Sequence, residues 1–189
     1  MEKRPYRMKV RAARQADTRR RIVEAAVELH STLGPSKTSL SAVAERAGVQ
    51  RHTLYAHFPD ADSLFRACTL HWRDAHPFPR EAPDLDDPWE RLRRALRSVY
   101  DWYASVEHEF ELFVRDSHVY PAFWKERLET LEAFAASVAA PLGRSRVLRA
   151  RVAHAIEFET WRSLVRQQGL SRNEAVEAMV DLVRAAHRG

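Results

Sequence analysis

Apolar positions along this chain recur at steps of three and four, the spacing that gathers them on one side of an α-helix. Ile22, Ala26, Leu29 and Leu33 share one such face and predict a helix over 18–33, stopped by Gly34-Pro35. Thr38 or Ser39 can cap a second helix, whose face is Leu40, Val43, Ala44 and Ala47 and which Gly48 breaks. A third short helix carries Leu54, Tyr55 and Phe58 and ends at Pro59. Asp60 or Asp62 opens a fourth, running through Leu64, Phe65 and Cys68 to Trp72. Pro77, Pro79, Pro83 and Pro88 among acidic residues mark 74–88 as a linker.

Beyond the linker, Asp86 or Asp87 caps a helix with Pro88 in its first turn and the stripe Trp89, Leu92, Leu96, Val99, Tyr103 and Val106. Further helices are predicted over 109–116, 121–140 and 145–168, the last stopped by Gly169. Ser171 with Glu174 makes a capping box for 172–187. No segment alternates with period two for long enough to form a strand, so the chain reads as all-α. Three parts are expected: a flexible basic arm over 1–16, a compact helical domain over 17–72, and a larger helical domain over 73–189.

Composition narrows the class. With 45% hydrophobic and 30% charged residues among 189, the chain has the make-up of a globular protein with a core. No run approaches the roughly 18 apolar residues of a membrane span. A single cysteine, Cys68, excludes an internal disulfide and an all-cysteine zinc cage, and is expected as a buried, inert thiol. Five glycines leave no glycine-rich phosphate loop. Met1 to Arg21 is basic but lacks the apolar stretch of a secretory signal, so a cytoplasmic location is expected.

Charge is uneven along the chain. Residues 1–70 hold 13 Lys and Arg against 7 Asp and Glu, whereas residues 71–189 hold 18 against 19. A basic first third on a neutral remainder points to a polyanion partner at one end. The residues over 38–58 point to double-stranded DNA as that partner, the alternative being two packed helices of an ordinary helical domain. Two short helices meet at Ala47-Gly48-Val49, with the small Ala44 allowing close approach and Val49 pinning the second helix, the requirements of a helix-turn-helix. On the second helix Gln50, Arg51, His52, Thr53, Tyr55 and His57 offer the donors and acceptors that meet phosphates and base edges.

From Ile22 through Leu64 the sequence resembles the DNA-binding domain of TetR-type transcriptional regulators. The resemblance rests on Ile22, Ala25, Ala26, Leu29, Gly34, Thr38, Ser39, Leu40, Val43, Ala44, Ala47-Gly48-Val49, Thr53-Leu54-Tyr55, His57-Phe58 and Leu64. It implies a homodimer whose reading helices enter adjacent major grooves, with the C-terminal domain sensing a small molecule. By position, Arg51, His52 and Thr53 would face bases, and Thr38, Ser39, Tyr55 and His57 would hold phosphates. Two departures stand out. His52 occupies a position where the family often has glycine, and Ala61 one where it favours a phosphate-binding lysine. Arg11, Arg14, Arg19 and Arg20 of the basic arm are expected to compensate for that lysine.

In the larger domain, aromatic residues are dense between 99 and 165, which suits a pocket for a ligand with an apolar or aromatic part. Trp102, Phe113, Phe123, His154 and Trp161 are the expected walls, although such aromatics equally suit an ordinary core. The final helices carry Phe158, Trp161, Leu164 and Val165 on one and Val176, Met179, Val180 and Val183 on the other, stripes expected to form the homodimer interface, with burial within the chain as the alternative. His154 with Glu157, and His108, Glu111 and His118, have spacings that touch metal chemistry but lack a convincing third ligand, so no metal and no cofactor are expected. No Ser/His/Asp or paired-carboxylate arrangement suggests catalysis. The expected function is a ligand-responsive, homodimeric repressor released from a near-palindromic operator. The alternatives are an activator or ligand-independent DNA binder on the same scaffold and, in another class, an all-α enzyme or small-molecule carrier.

Overall fold

Local caps and apolar faces define most of the helices. In a computed structural model, which describes residues 3–187 and the side chains of 8–185, helix α1 spans Lys3–Leu33 and α2 Leu40–Arg46. Helix α3 spans Arg51–His57 and α4 Ala61–Ala75. Helix α5 covers Pro88–Arg115, α6 Pro121–Ala139, α7 Arg146–Ile156, α8 Phe158–Arg162 and α9 Arg172–His187. No strand occurs among the described residues, and the chain is all-α.

Two compact units divide the chain. The first comprises 1–77 and 108–121, the second 78–107 and 122–189. The break expected at 72/73 therefore falls at 77/78, and the first unit also takes in 108–121, a segment expected in the larger domain. Residues 88–107 of α5 belong to the second unit and 108–115 to the first. The two helices expected over this region meet within α5 at a kink, where Val106 is non-helical (φ −125°, ψ 16°).

The segment expected as a flexible arm is helical from Lys3 onward. Its composition explains this: Pro5 stands in the first turn, where its missing N–H is not needed, and Met, Lys, Arg, Ala and Gln follow, all good helix formers. In the first unit Ile22, Val23, Ala25 and Ala26 of α1 are buried with Val43, Leu54, Phe58, Leu64 and Phe65. Tyr120 stacks on Phe65 with ring centroids 3.6 Å apart, and Phe113 meets the edge of Trp72 at 5.5 Å. Those rings bring the end of α5 and the turn after it into the core of this unit.

The second unit is built on Leu92, Leu96, Val99, Tyr100 and Tyr103 of α5, buried with apolar residues of α6, α7 and α9. The long helix expected over 145–168 is interrupted at Glu157, whose backbone is extended (φ −62°, ψ 143°), and continues through α8 into a π-helical turn over Ser163–Gln167. The final capping box forms as expected. Ser171 N donates to Glu174 Oε2 at 2.8 Å, and Glu174 N to Ser171 Oγ at 3.3 Å.

Candidate nucleic-acid interface

Short helices need tertiary anchors, because seven residues barely repay nucleation. Helix α2 begins at Ser39, whose Oγ accepts from Ala42 N at 3.1 Å. It ends in a turn where Gly48 adopts φ +64° and Val49 N donates to Ala44 O at 2.9 Å. Leu54 and Phe58, 1% and 2% exposed, fasten α3 to the core one turn apart. A residue without any mark in the sequence pattern completes the turn. The Arg21 guanidinium, from α1, donates to the carbonyls of Ala47 and Gly48. A cation there meets the negative end of α2 and fixes the angle at which α3 leaves the turn. No local pattern reveals an interaction spanning 26 residues.

Fastening α3 by one face leaves the other to solvent. Gln50, Arg51, His52 and Tyr55 are exposed, and Thr53 and His57 are half-buried. His52 Nε2 lies 3.3 Å from Thr53 Oγ1, tying two of the expected base-facing side chains together. Ser39 is exposed; its oxygen caps α2 while its proton stays available to a phosphate. Thr38 differs, since its hydroxyl donates to Gly34 O at 2.9 Å and serves the turn between α1 and α2. A phosphate at Thr38 would have to displace that bond.

The same turn is held from the far end of α5. Asp116, 3% exposed, accepts from Ser36 N at 2.9 Å through Oδ2 and pairs with its neighbour Arg115 at 2.7 and 2.9 Å. Arg115 Nη2 also donates to Leu33 O at 2.9 Å, satisfying a carbonyl at the end of α1. The Arg115 guanidinium, aided by Ser36, holds the Asp116 carboxyl well below the usual carboxylate range. Gly34 lies beneath this pair at φ +90°, and a Cβ there would overlap both side chains. Under α1, His30 Nδ1 sits 3.3 Å from Cys68 Sγ. Burial lowers His30 to about 4 and pushes the Cys68 thiol up to about 12. Both groups are therefore neutral at pH 7, and the thiol lacks the thiolate character that reactivity needs.

The expected ligand walls are divided between the two units. Phe113 lies in the first unit against Trp72, and the other four lie in the second. Trp161 is fully buried against Tyr103 and Phe158, so it belongs to the core. Trp102 is half-buried, with Phe78 edge-on at 5.1 Å, and Phe123 is also half-buried. His154 is exposed, its Nδ1 3.4 Å from Thr160 Oγ1. Among the described residues, no three His, Cys, Asp or Glu side chains gather as metal ligands.

Comparison with known proteins places these features. A family model described as "Bacterial regulatory proteins, tetR family" matches residues 22–68. The HTH-type transcriptional regulator AcrR of Shigella flexneri is 45% identical over 49 residues, 26% of this chain and 23% of that protein. The HTH-type transcriptional regulator TtgR of Pseudomonas putida is 32% identical over 88 residues, 45% of this chain and 42% of its own length. The chain thus matches less than half the length of these curated relatives. A tetR-family regulator from Streptomyces coelicolor superimposes with a TM-score of 0.65 at 19% identity, covering 90% of this chain and 80% of that one. A TetR-like regulator from Rhodococcus sp. RHA1 gives 0.63 at 20%, covering 91% and 96%. At such identities the structures share a fold. The matched segment contains α2, the turn and α3 whole, and over residues 22–68 the chain carries the DNA-binding domain of the tetR family of bacterial regulatory proteins.

Proposed function

We propose that this chain is a homodimeric repressor that occupies a near-palindromic operator and leaves it when a small molecule binds the second unit. The observation that carries the reading is α3, a helix anchored by Leu54 and Phe58 that turns Gln50, Arg51, His52 and Tyr55 to solvent. In a major groove, Arg51 can donate twice to guanine O6 and N7, and Gln50 can pair with adenine N6 and N7. His52 and Thr53 add shorter donors and acceptors beside them. Ser39, Tyr55 and His57 would take phosphates on either side, fixing register without reading sequence.

The ligand would have an apolar or aromatic part, received in the second unit, where Trp102 and Phe123 are half-buried. Helix α5 offers the route to the DNA. Its first twenty residues belong to the sensing unit and its last turns to the reading unit, where Arg115 and the adjoining Asp116 hold the turn that precedes α2. Displacing α5 would pull on that turn. A coupling of about 1–3 kcal/mol changes operator affinity roughly 5- to 150-fold, and operator and ligand must then weaken each other equally. Such a protein works in the cytoplasm, beside the chromosome.

Selection of genomic fragments on the purified chain at two salt concentrations tests the reading. The expected result is a two-fold symmetric site with half-sites about one DNA turn apart, retained at the higher salt. Binding that shows no preferred site and vanishes with salt would overturn it.

A further inference from the structure

The N-terminal half of α1 carries charge of one sign. Between Lys3 and Ala16 the sequence has six basic residues and no acidic one. Further along, the arginines are committed. Arg19 lies over the Phe58 ring at 4.9 Å, and Arg20 pairs with Asp17 at 2.6 Å and Glu24 at 2.9 Å. Arg11 and Arg14 are exposed and pair with no acidic side chain among the described residues. They lie along an open groove between α1 and α3, with Gln15 on their side and Thr53 and His57 on the other. Thr18 stands at its foot, its hydroxyl donating to Arg14 O at 2.9 Å.

We infer that this groove is a preformed second DNA contact, in which Arg11 and Arg14 of α1 hold the phosphate backbone that flanks α3. The inference rests on the reading of α3 as the base-reading helix. Charge and continuity carry it. Among the described residues the groove has two guanidiniums and no carboxylate, suited to paired hydrogen bonds with phosphate oxygens. Its second wall is α3 itself, so a duplex seated on that helix brings its own backbone alongside. A helical arm also holds its arginines in place before binding, which lowers the ordering cost of engaging the duplex. The two guanidiniums would supply the positive charge that Ala61, at the start of α4, does not offer.

Operator binding by the full-length Arg11→Ala/Arg14→Ala variant, measured from 50 to 200 mM salt, tests the inference. Removing two phosphate-binding guanidiniums should lower the slope of log affinity against log salt by about 1.8 for each bound protomer. Across that range, the salt-induced drop in affinity should shrink roughly tenfold per protomer, with base preference unchanged. The Arg11→Lys/Arg14→Lys variant should restore the slope, and Arg149→Ala on α7 should leave it alone. Unaltered slope and affinity in the alanine variant would overturn the inference while leaving the operator reading intact. A shifted base preference would also overturn it, by placing the arginines on base edges, and so would failure of the lysine variant to restore the slope. If the wild-type chain selects no site, the operator reading falls first and this inference with it.

Discussion

Two glycines show how much a single position can carry. Gly34 and Gly169 both have positive φ, +90° and +72°, where an added Cβ strains the backbone. At Gly169 nothing lies within 4 Å of that Cβ, so Gly169→Ala should cost only the backbone strain, about 1 kcal/mol. At Gly34 the same methyl meets Arg115 and Asp116, which must give way and release Ser36 N and Leu33 O. Gly34→Ala should therefore lower the urea midpoint clearly more than Gly169→Ala and weaken operator binding as well. Equal midpoints would mean that the Arg115–Asp116 pair is easily dispensed with. His30 makes a second prediction at this scale. Its ordinary value is 6.5 and burial lowers it to about 4, so below pH 6.5 the unfolded chain takes up a proton that the native chain refuses. Stability attributable to His30 is unchanged above pH 6.5 and falls as the pH drops towards 4, by about 3 kcal/mol in all. Asp116 acts further down. Because its native value is depressed, its contribution is present above the ordinary carboxylate range and is lost as the pH falls from that range towards the depressed native value. In urea melts at stepped pH, His30→Leu should flatten the decline between 6.5 and 4 and leave the acid loss below it. An unchanged profile would place the pH dependence elsewhere.

Among the elements, those that end on local chemistry were legible and those that end on tertiary packing were not. Ser39, Gly48 and Asp60 bound α2 and open α4 through caps and a turn written in neighbouring residues, and the reading face of α3 follows from Leu54 and Phe58 alone. The start of α1 was not legible as helix, because a basic run gives no apolar period to detect. The break at Glu157 has neither proline nor glycine to announce it. It is stabilised from α5, where Tyr100 and Tyr103 donate at 2.9 Å to Ala155 O and Ile156 O, carbonyls that an unbroken helix would have bonded itself. Their burial raises both phenols far above the usual range, so they remain donors at any working pH. Removing either hydroxyl leaves a carbonyl without its partner inside the unit. Tyr100→Phe and Tyr103→Phe should each cost about 1–2 kcal/mol in denaturant unfolding. If both prove neutral, the break is held by the packing of Phe158 and Trp161 instead. The holds on the reading domain were equally invisible in the sequence, since Arg21 reaches 27 residues to Gly48 and Asp116 reaches 80 to Ser36.

For the whole molecule, the proposed repressor needs two copies, and burial within the chain changes which residues can join them. Phe158, Trp161, Val176, Val180 and Val183, expected as candidates for the interface, are buried inside the second unit of one chain. What remains is a flank. Leu164, Val165, Ala178, Met179 and Leu182 are half-buried, and on α9 the positions 178 and 182 lie one turn apart on the side next to the buried stripe. A self-complementary interface built on this flank would bury small and branched side chains along two antiparallel copies of α9. Ala178→Arg is the discriminating change, because a long charged side chain there can reach solvent in a single chain but would be trapped between two. Light scattering should find the wild-type chain dimeric and the variant monomeric, with helix content by circular dichroism preserved. The monomer should then bind a single half-site weakly and lose most of its affinity for the full operator, since two half-sites no longer act through one molecule. A variant that stays dimeric would move the interface away from α9, and with it the spacing that the two reading helices impose on the operator.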